Sequence, residues 1–62
     1  MLMKVICISN RLSFLQQIKK GDFYFIDRSS IWIDAEGDAY GKVYDLNEKL
    51  IGQMLLSHFC SV

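Results

Sequence analysis

The segment DLNEKLIGQMLLSHF, residues 45–59, decides between two folds for this chain. As one helix over 46–59, at about 100° per residue, it gathers five apolar residues on one half of its surface: Leu50, Ile51, Met54, Leu55 and Phe59. Gly52 would then cost about 1 kcal/mol relative to Ala in mid-helix. The helical pattern is further broken by Asn47, Glu48 and His58 inside the apolar half, and by Leu56 and Cys60 outside it.

The same segment reads better as a hairpin arm followed by one helical turn. Residues 49–54 would pair back on 38–45, with Asn47 taking the left-handed conformation in the turn. Residues 55–58 would form the helical turn, and 59–62 a closing strand. An α+β fold, a small antiparallel sheet with a C-terminal helix over 46–59, stays open as the alternative.

Upstream of residue 45 the pattern is that of short strands. Residues 2–8 are rich in β-branched side chains, and 21–27, 31–33 and 38–45 are apolar runs bounded by turn residues. In the second of these strands, alternation predicts Phe23 and Phe25 in the core and Tyr24 facing solvent. Residues 9–20 form either a short helix, capped by Ser13 with Gln16, or a long folded loop.

Composition limits the chain to one small domain, residues 1–62. Its 62 residues are 52% hydrophobic and include eight aromatic side chains. So small a domain cannot bury them all, and surplus aromatics point to a partner. The formal net charge is zero, which weighs against nucleic acid, since phosphate affinity comes mainly from clustered Lys and Arg. Zero net charge also favours self-association.

The termini and cysteines indicate a cytoplasmic protein. The start Met1-Leu2-Met3-Lys4 does not resemble a leader peptide, and no stretch approaches the roughly 20 apolar residues that cross a membrane. Cys7 and Cys60 form no Cys-x-x-Cys pair. We expect both thiols to be reduced and buried as small apolar groups.

The sequence holds no recognisable catalytic, cofactor or metal motif. His58 is the sole histidine, and its neighbour Ser57 cannot reach it with the geometry of a nucleophile and base, because adjacent side chains point apart. The acidic run 34–38 fails the calcium-loop template, since Gly37 stands at position four rather than six. Tight turns use this composition. We therefore predict a protein that is not an enzyme and has no cofactor.

Two segments resemble the Src-homology-3-like barrel. Leu12-Ser13-Phe14 with Lys19-Lys20-Gly21-Asp22 looks like the turn where the long first loop of that fold enters its second strand. Gly52 through Phe59 has the spacing of its last segment. The resemblance implies an all-β barrel of five or six antiparallel strands with one short helical turn near 55–58. It does not carry over a polyproline groove, because Ile8-Ser9-Asn10 and Leu55 replace that groove's aromatics and proline.

A narrower resemblance is to small orphan proteins of phages and prophages of low-GC Gram-positive bacteria. It rests on Lys4-Val5-Ile6-Cys7-Ile8, Gly21-Asp22-Phe23-Tyr24, Val43-Tyr44-Asp45 and the segment from Ile51-Gly52 to Phe59. It implies a phage- or prophage-encoded accessory protein that binds a host protein in the host cytoplasm, with inhibition as one mode of action.

The predicted binding face consists of exposed aromatics, with the acidic turn at its rim: Trp32, Tyr40, Tyr44 and Tyr24. Two other functions stay open. One is a nucleic-acid-binding barrel that uses stacked aromatics and the basic residues Lys4, Arg11, Lys19 and Lys20. The other is an assembly component that self-associates, for instance as a homodimer through a strand edge.

Overall fold

A computed structural model describes residues 1–11 and 18–62. The described elements are six strands, and two single 3₁₀ turns at Arg28–Ser30 and Leu56–His58. The strands are β1 (Leu2–Cys7), β2 (Phe23–Asp27), β3 (Trp32–Ile33), β4 (Ala39–Tyr44), β5 (Leu50–Leu55) and β6 (Phe59–Ser61). The expected strand order is confirmed. The proposed cap at Ser13 and Gln16 lies outside the described residues.

The C-terminal third forms the hairpin. β5 pairs antiparallel with β4, from Tyr40 opposite Leu55 to Tyr44 opposite Leu50, with a bulge near its end. The second 3₁₀ turn and β6 follow. The alternative helix over 46–59 is therefore wrong, because its apolar residues alternate between the two faces of a strand instead of collecting on one side of a helix.

The two tight turns on either side of β4 depend on one acidic side chain and one glycine. Asp45 Oδ1 accepts hydrogen bonds from the backbone N–H groups of Asn47 at 2.8 Å and Lys49 at 2.9 Å. The positive φ of 62° falls on Glu48, one residue later than predicted. In the turn before β4, Gly37 takes a φ of 89°, as expected for a residue without a Cβ.

All ladders in the sheet are antiparallel. β1 lies between β6 and β2, and β2 pairs with the end of β4. The first 3₁₀ turn redirects the chain so that β3 pairs with the start of β4. β5 runs along β4 as well, so β2 and β3 share the other side of that strand.

Among the described ladders, β5 pairs only with β4 and β6 pairs only with β1. These two strands are joined by a single 3₁₀ turn. The described ladders do not include a β5–β6 pair, so the sheet is not closed by hydrogen bonds. The fold is thus an all-β antiparallel sheet in which a three-residue connection joins β5 to β6.

The core lies on one face of this sheet, here called the inner face. Val5 and Cys7 on β1, Ile26 on β2 and Val43 on β4 are each at most 1% exposed. The remaining buried members are Ile18, Tyr24, Met54 and Phe59. Gly41 belongs to this face because a Cβ there would come within 3.2–3.3 Å of three side chains, among them Ile26 and Leu56.

The predicted faces of β2 are reversed. Tyr24 is 4% exposed, whereas Phe23 is 39% exposed. The Tyr24 ring packs edge-to-face on Phe59, with centroids 6.0 Å apart, and its hydroxyl accepts a hydrogen bond from Lys19 N at 2.8 Å. A buried phenol is tolerated when its hydroxyl finds a partner, and the backbone before β2 supplies one.

The two cysteines lie on opposite faces. Cys7 is buried and Cys60 is exposed, and both are free thiols. Cys60 stands opposite Ile6, and Cys7 opposite Phe59. The expectation that both thiols are buried is wrong for Cys60, since the period of two places it one step out of phase with Phe59.

Candidate interaction surface

The outer face of the sheet gathers most of the aromatic side chains that the core does not use. Register shows this directly, because residues opposite each other in a ladder share a face. Phe25 stands opposite Tyr44, and Trp32 opposite Tyr40. We call this surface the aromatic face; its members are Phe23, Phe25, Trp32, Tyr40 and Tyr44.

The aromatic face is accessible along its length. Trp32 is 47% exposed, and Phe25, Tyr40 and Tyr44 are half-buried. Leu50, opposite Tyr44 on β5, is also exposed. Large apolar side chains that stay partly in water on one contiguous surface are typical of a contact site.

Trp32 and Tyr40 form a stacked pair at one end of this face. Their ring centroids are 4.8 Å apart and their planes lie 19° from parallel. The preceding and following residues, Ile31 and Ile33, are exposed too. β3 therefore presents an apolar, outward-facing edge only two residues long.

The acidic turn, residues 34–38, joins β3 to β4 beside this pair. Asp34 Oδ1 accepts from the backbone N–H groups of Glu36 at 2.9 Å and Asp38 at 3.0 Å, which fixes the turn. The carboxylates of Asp34, Glu36 and Asp38 offer oxygen atoms within 4.8 Å of one another. Three negative charges thus stand just before the start of β4.

Tyr40 is coupled to the acidic turn. Desolvation raises the pKa of the Tyr40 hydroxyl above its ordinary value, and the charge of Asp34 and a hydrogen bond to its carboxylate raise the pKa further. These causes place the Tyr40 hydroxyl, and with it the Trp32 stack, next to the acidic turn.

The opposite end of the aromatic face carries positive charge. Lys4 Nζ lies 4.9 Å from the centroid of the Phe23 ring, a cation–π distance. Gly21 N donates to Cys7 O at 2.8 Å, so the Lys19–Lys20 pair lies near the end of β1. Lys19, Lys20 and Arg11 are all exposed.

A shallow cleft lies near this basic end. It is lined by Asp22, Phe23, Tyr24, Asp45 and Leu46. Its walls are turn and strand-end residues, and Asp45 is engaged in holding its own turn.

His58 has a backbone role in the structure. It ends the second 3₁₀ turn, and its carbonyl oxygen accepts from Ile8 N at 2.9 Å. This bond extends the pairing of β1 with β6 beyond Cys7. The backbone of His58 thus takes part in the pairing of the first and last strands.

Three of the four predicted site residues share the outer face. Trp32, Tyr40 and Tyr44 are brought together, whereas Tyr24 belongs to the core. The residues that sequence reasoning missed are Phe23 and Phe25. Alternation within β2 shows that they share a face, but only the pairing of Phe25 with Tyr44 shows which face that is.

Comparison with protein-family models, with curated proteins and with solved structures finds no match to this chain. Among residues 1–11 and 18–62, no helix has the length and apolar character needed to cross a membrane.

Proposed function

We propose that this chain is a non-enzymatic protein-interaction module that binds a host protein through its aromatic face. The observation that carries the proposal is the placement of five of the eight aromatic residues on the outer face. Tyr and Trp dominate the binding energy of protein interfaces because they bury large areas at low entropic cost. A domain this small gains little stability from leaving such side chains in water.

The finer fold assignment is part of the same proposal: a Src-homology-3-like barrel of phage or prophage origin that works in the host cytoplasm, with inhibition of its target as one mode of action. The order β1, long connection, β2, β4–β5 hairpin, 3₁₀ turn and β6 supports it. The short connection between β5 and β6 supports rolling of the sheet, since it restricts how far apart the ends of these strands can lie.

The test is affinity capture from host lysate with matched variants. We expect Trp32→Ala combined with Tyr44→Ala to lose a partner that the unaltered chain retains. Ile33→Ala is the control, because Ile33 is adjacent and 68% exposed but stands opposite Ala39, out of phase with Trp32. A partner that both variants retain equally would refute the proposal, provided that both variants are folded under the capture conditions.

A nucleic-acid-binding function is the second candidate, and the Lys4–Phe23 contact favours it. Single strands are bound by aromatic platforms beside positive charge. In this case the affinity for an oligonucleotide would fall steeply with salt. Absence of binding to single- or double-stranded DNA and RNA at about 50 mM salt would remove this candidate.

Self-association is the third candidate, and the free edges of β3 and β5 favour it, since neither has a second ladder among the described residues. Unpaired strand edges are templates for pairing with another chain. Native mass spectrometry would show a defined oligomer in this case, and a monomer at all accessible concentrations would argue against it.

A further inference from the structure

We propose that the partner presents a basic segment, and that an arginine of this segment lies against the Trp32–Tyr40 stack with its charge toward the acidic turn. The inference rests on the proposed function and names the chemistry of the partner. It combines two neighbouring features: the stack of the exposed Trp32 on the half-buried Tyr40, and a group of carboxylates that form no ion pair with a described residue.

The two features are adjacent by construction of the fold. Trp32 precedes the acidic turn by two residues, and Tyr40 follows it by two. The stack of their rings at 4.8 Å closes the base of the turn. A side chain that packs on the exposed Trp32 ring therefore has carboxylates within its reach.

The acidic turn has no counter-charge of its own in the described part of the chain. The ion pair found among the described residues lies outside the acidic turn and joins the N-terminal amino group to Asp27 at 3.5 Å. Neither Asp34, Glu36 nor Asp38 forms an ion pair with a described residue. Like charges held together raise the free energy of the unbound surface, and an incoming cation relieves this repulsion.

Arginine fits this surface better than other groups. Its planar guanidinium stacks on aromatic rings and donates in a fork that matches carboxylates. A phosphate would be repelled by three carboxylates, so this end of the aromatic face is unsuited to nucleic acid. An apolar segment alone would gain the Trp32 contact but leave the charges unpaired.

Trp32 is the one tryptophan in the sequence, so its fluorescence reports directly on this surface. The probe is a tetra-arginine peptide with acetylated and amidated ends, titrated into the full chain. We expect a saturable change in Trp32 fluorescence that weakens as salt rises, because exposed charges are screened over about 8–10 Å at 0.1–0.15 M salt. A tetra-serine peptide with the same ends should produce no saturable change.

The matched variants separate this charge effect from general electrostatics. Glu36→Gln with Asp38→Asn keeps Asp34 as the turn acceptor, and we expect it to weaken tetra-arginine binding by about fivefold or more. Asp22→Asn with Glu48→Gln removes the same charge from exposed positions away from the acidic turn. We expect this control to bind like the parent.

Equal binding by both charge variants, or equal binding of tetra-serine, would overturn the inference. Absence of any fluorescence change up to millimolar peptide would overturn it too. So would a fluorescence change that follows protein concentration alone, because the occupant would then be a second copy. If capture of a host partner still requires Trp32 in such a case, the proposed function stands and only the basic chemistry of the partner is wrong.

Discussion

The inner and outer faces of this sheet are built from the same strands, yet they differ in the kind of apolar residue they carry. The inner face holds mainly branched aliphatic side chains such as Val5, Ile26 and Val43, each almost fully buried. The outer face holds flat aromatic rings that stay partly in water. The difference teaches that hydrophobicity alone does not separate the buried face of a small sheet from its accessible face, because both faces are apolar and differ in the shape of their side chains.

The largest expected effect lies on the inner face. Ile26→Ala should lower the free energy of unfolding by about 2–5 kcal/mol, because the cavity cannot collapse in a close-packed core. That is a large share of what one small core supplies. Urea denaturation measures the loss. Ile33→Ala, at an exposed site, should change the midpoint little, and equal losses for both would contradict the difference in burial between the two sites.

A smaller effect is expected where the inner face holds an aromatic. Tyr24→Phe keeps the packing on Phe59 but removes the acceptor for Lys19 N. We expect a loss of about 1 kcal/mol, since an amide left without a partner costs about 1–3 kcal/mol when buried. Tyr44→Phe on the outer face is the matched control. A neutral Tyr24→Phe would mean that water replaces the hydroxyl.

On the outer face itself, Trp32→Ala should cost about 0.5–1.5 kcal/mol, the range for an aromatic pair. The measurement is again the free energy of unfolding from urea denaturation. A loss as large as that of Ile26→Ala would show that Trp32 belongs to the core and would weaken its assignment to a contact surface.

The smallest effect concerns how stability depends on pH through Asp27, the last residue of β2. The Ser29 hydroxyl donates to Asp27 Oδ1 at 2.7 Å, and this bond is the main reason that the pKa of Asp27 lies below its ordinary value. Its stabilising effect is present above the ordinary carboxyl pKa and is lost as pH falls through the lowered value.

Ser29→Ala should therefore move the pKa of Asp27 toward its ordinary value and flatten the acid limb of stability. NMR titration of the Asp27 carboxyl reads the shift, and Ser57→Ala, at an exposed site on another turn, is the control. An unchanged Asp27 pKa in Ser29→Ala would contradict the assigned cause.

Much of the architecture was predictable because turns and periodicity act locally. Gly52 and the out-of-phase apolar residues of 45–59 favour the hairpin over a helix without any knowledge of the rest of the chain, but only the pairing of β5 with β4 excludes the helix. The acidic turn likewise follows from Asp34 and Gly37. The position of the left-handed residue, Glu48 rather than Asn47, depends on two bonds to Asp45 that composition does not reveal.

The orientation of β2 was not predictable from β2 itself. Its alternation is compatible with either face, since Phe23, Tyr24 and Phe25 are all apolar enough for a core. Tyr24 faces inward because its hydroxyl accepts a hydrogen bond from the backbone N–H of Lys19, five residues before it, and its ring packs on Phe59, 35 residues after it. Such long-range contacts also decide the aromatic face, so Phe23 and Phe25 could not be assigned to it beforehand.

The most direct test of the two-face description is the paramagnetic relaxation of aromatic protons by a neutral, soluble gadolinium chelate. The structure predicts strong relaxation of the Trp32 and Phe23 ring protons and protection of those of Tyr24 and Phe59. Protection of Phe23 with strong relaxation of Tyr24 would contradict the description, because the aromatic face would then be part of the core.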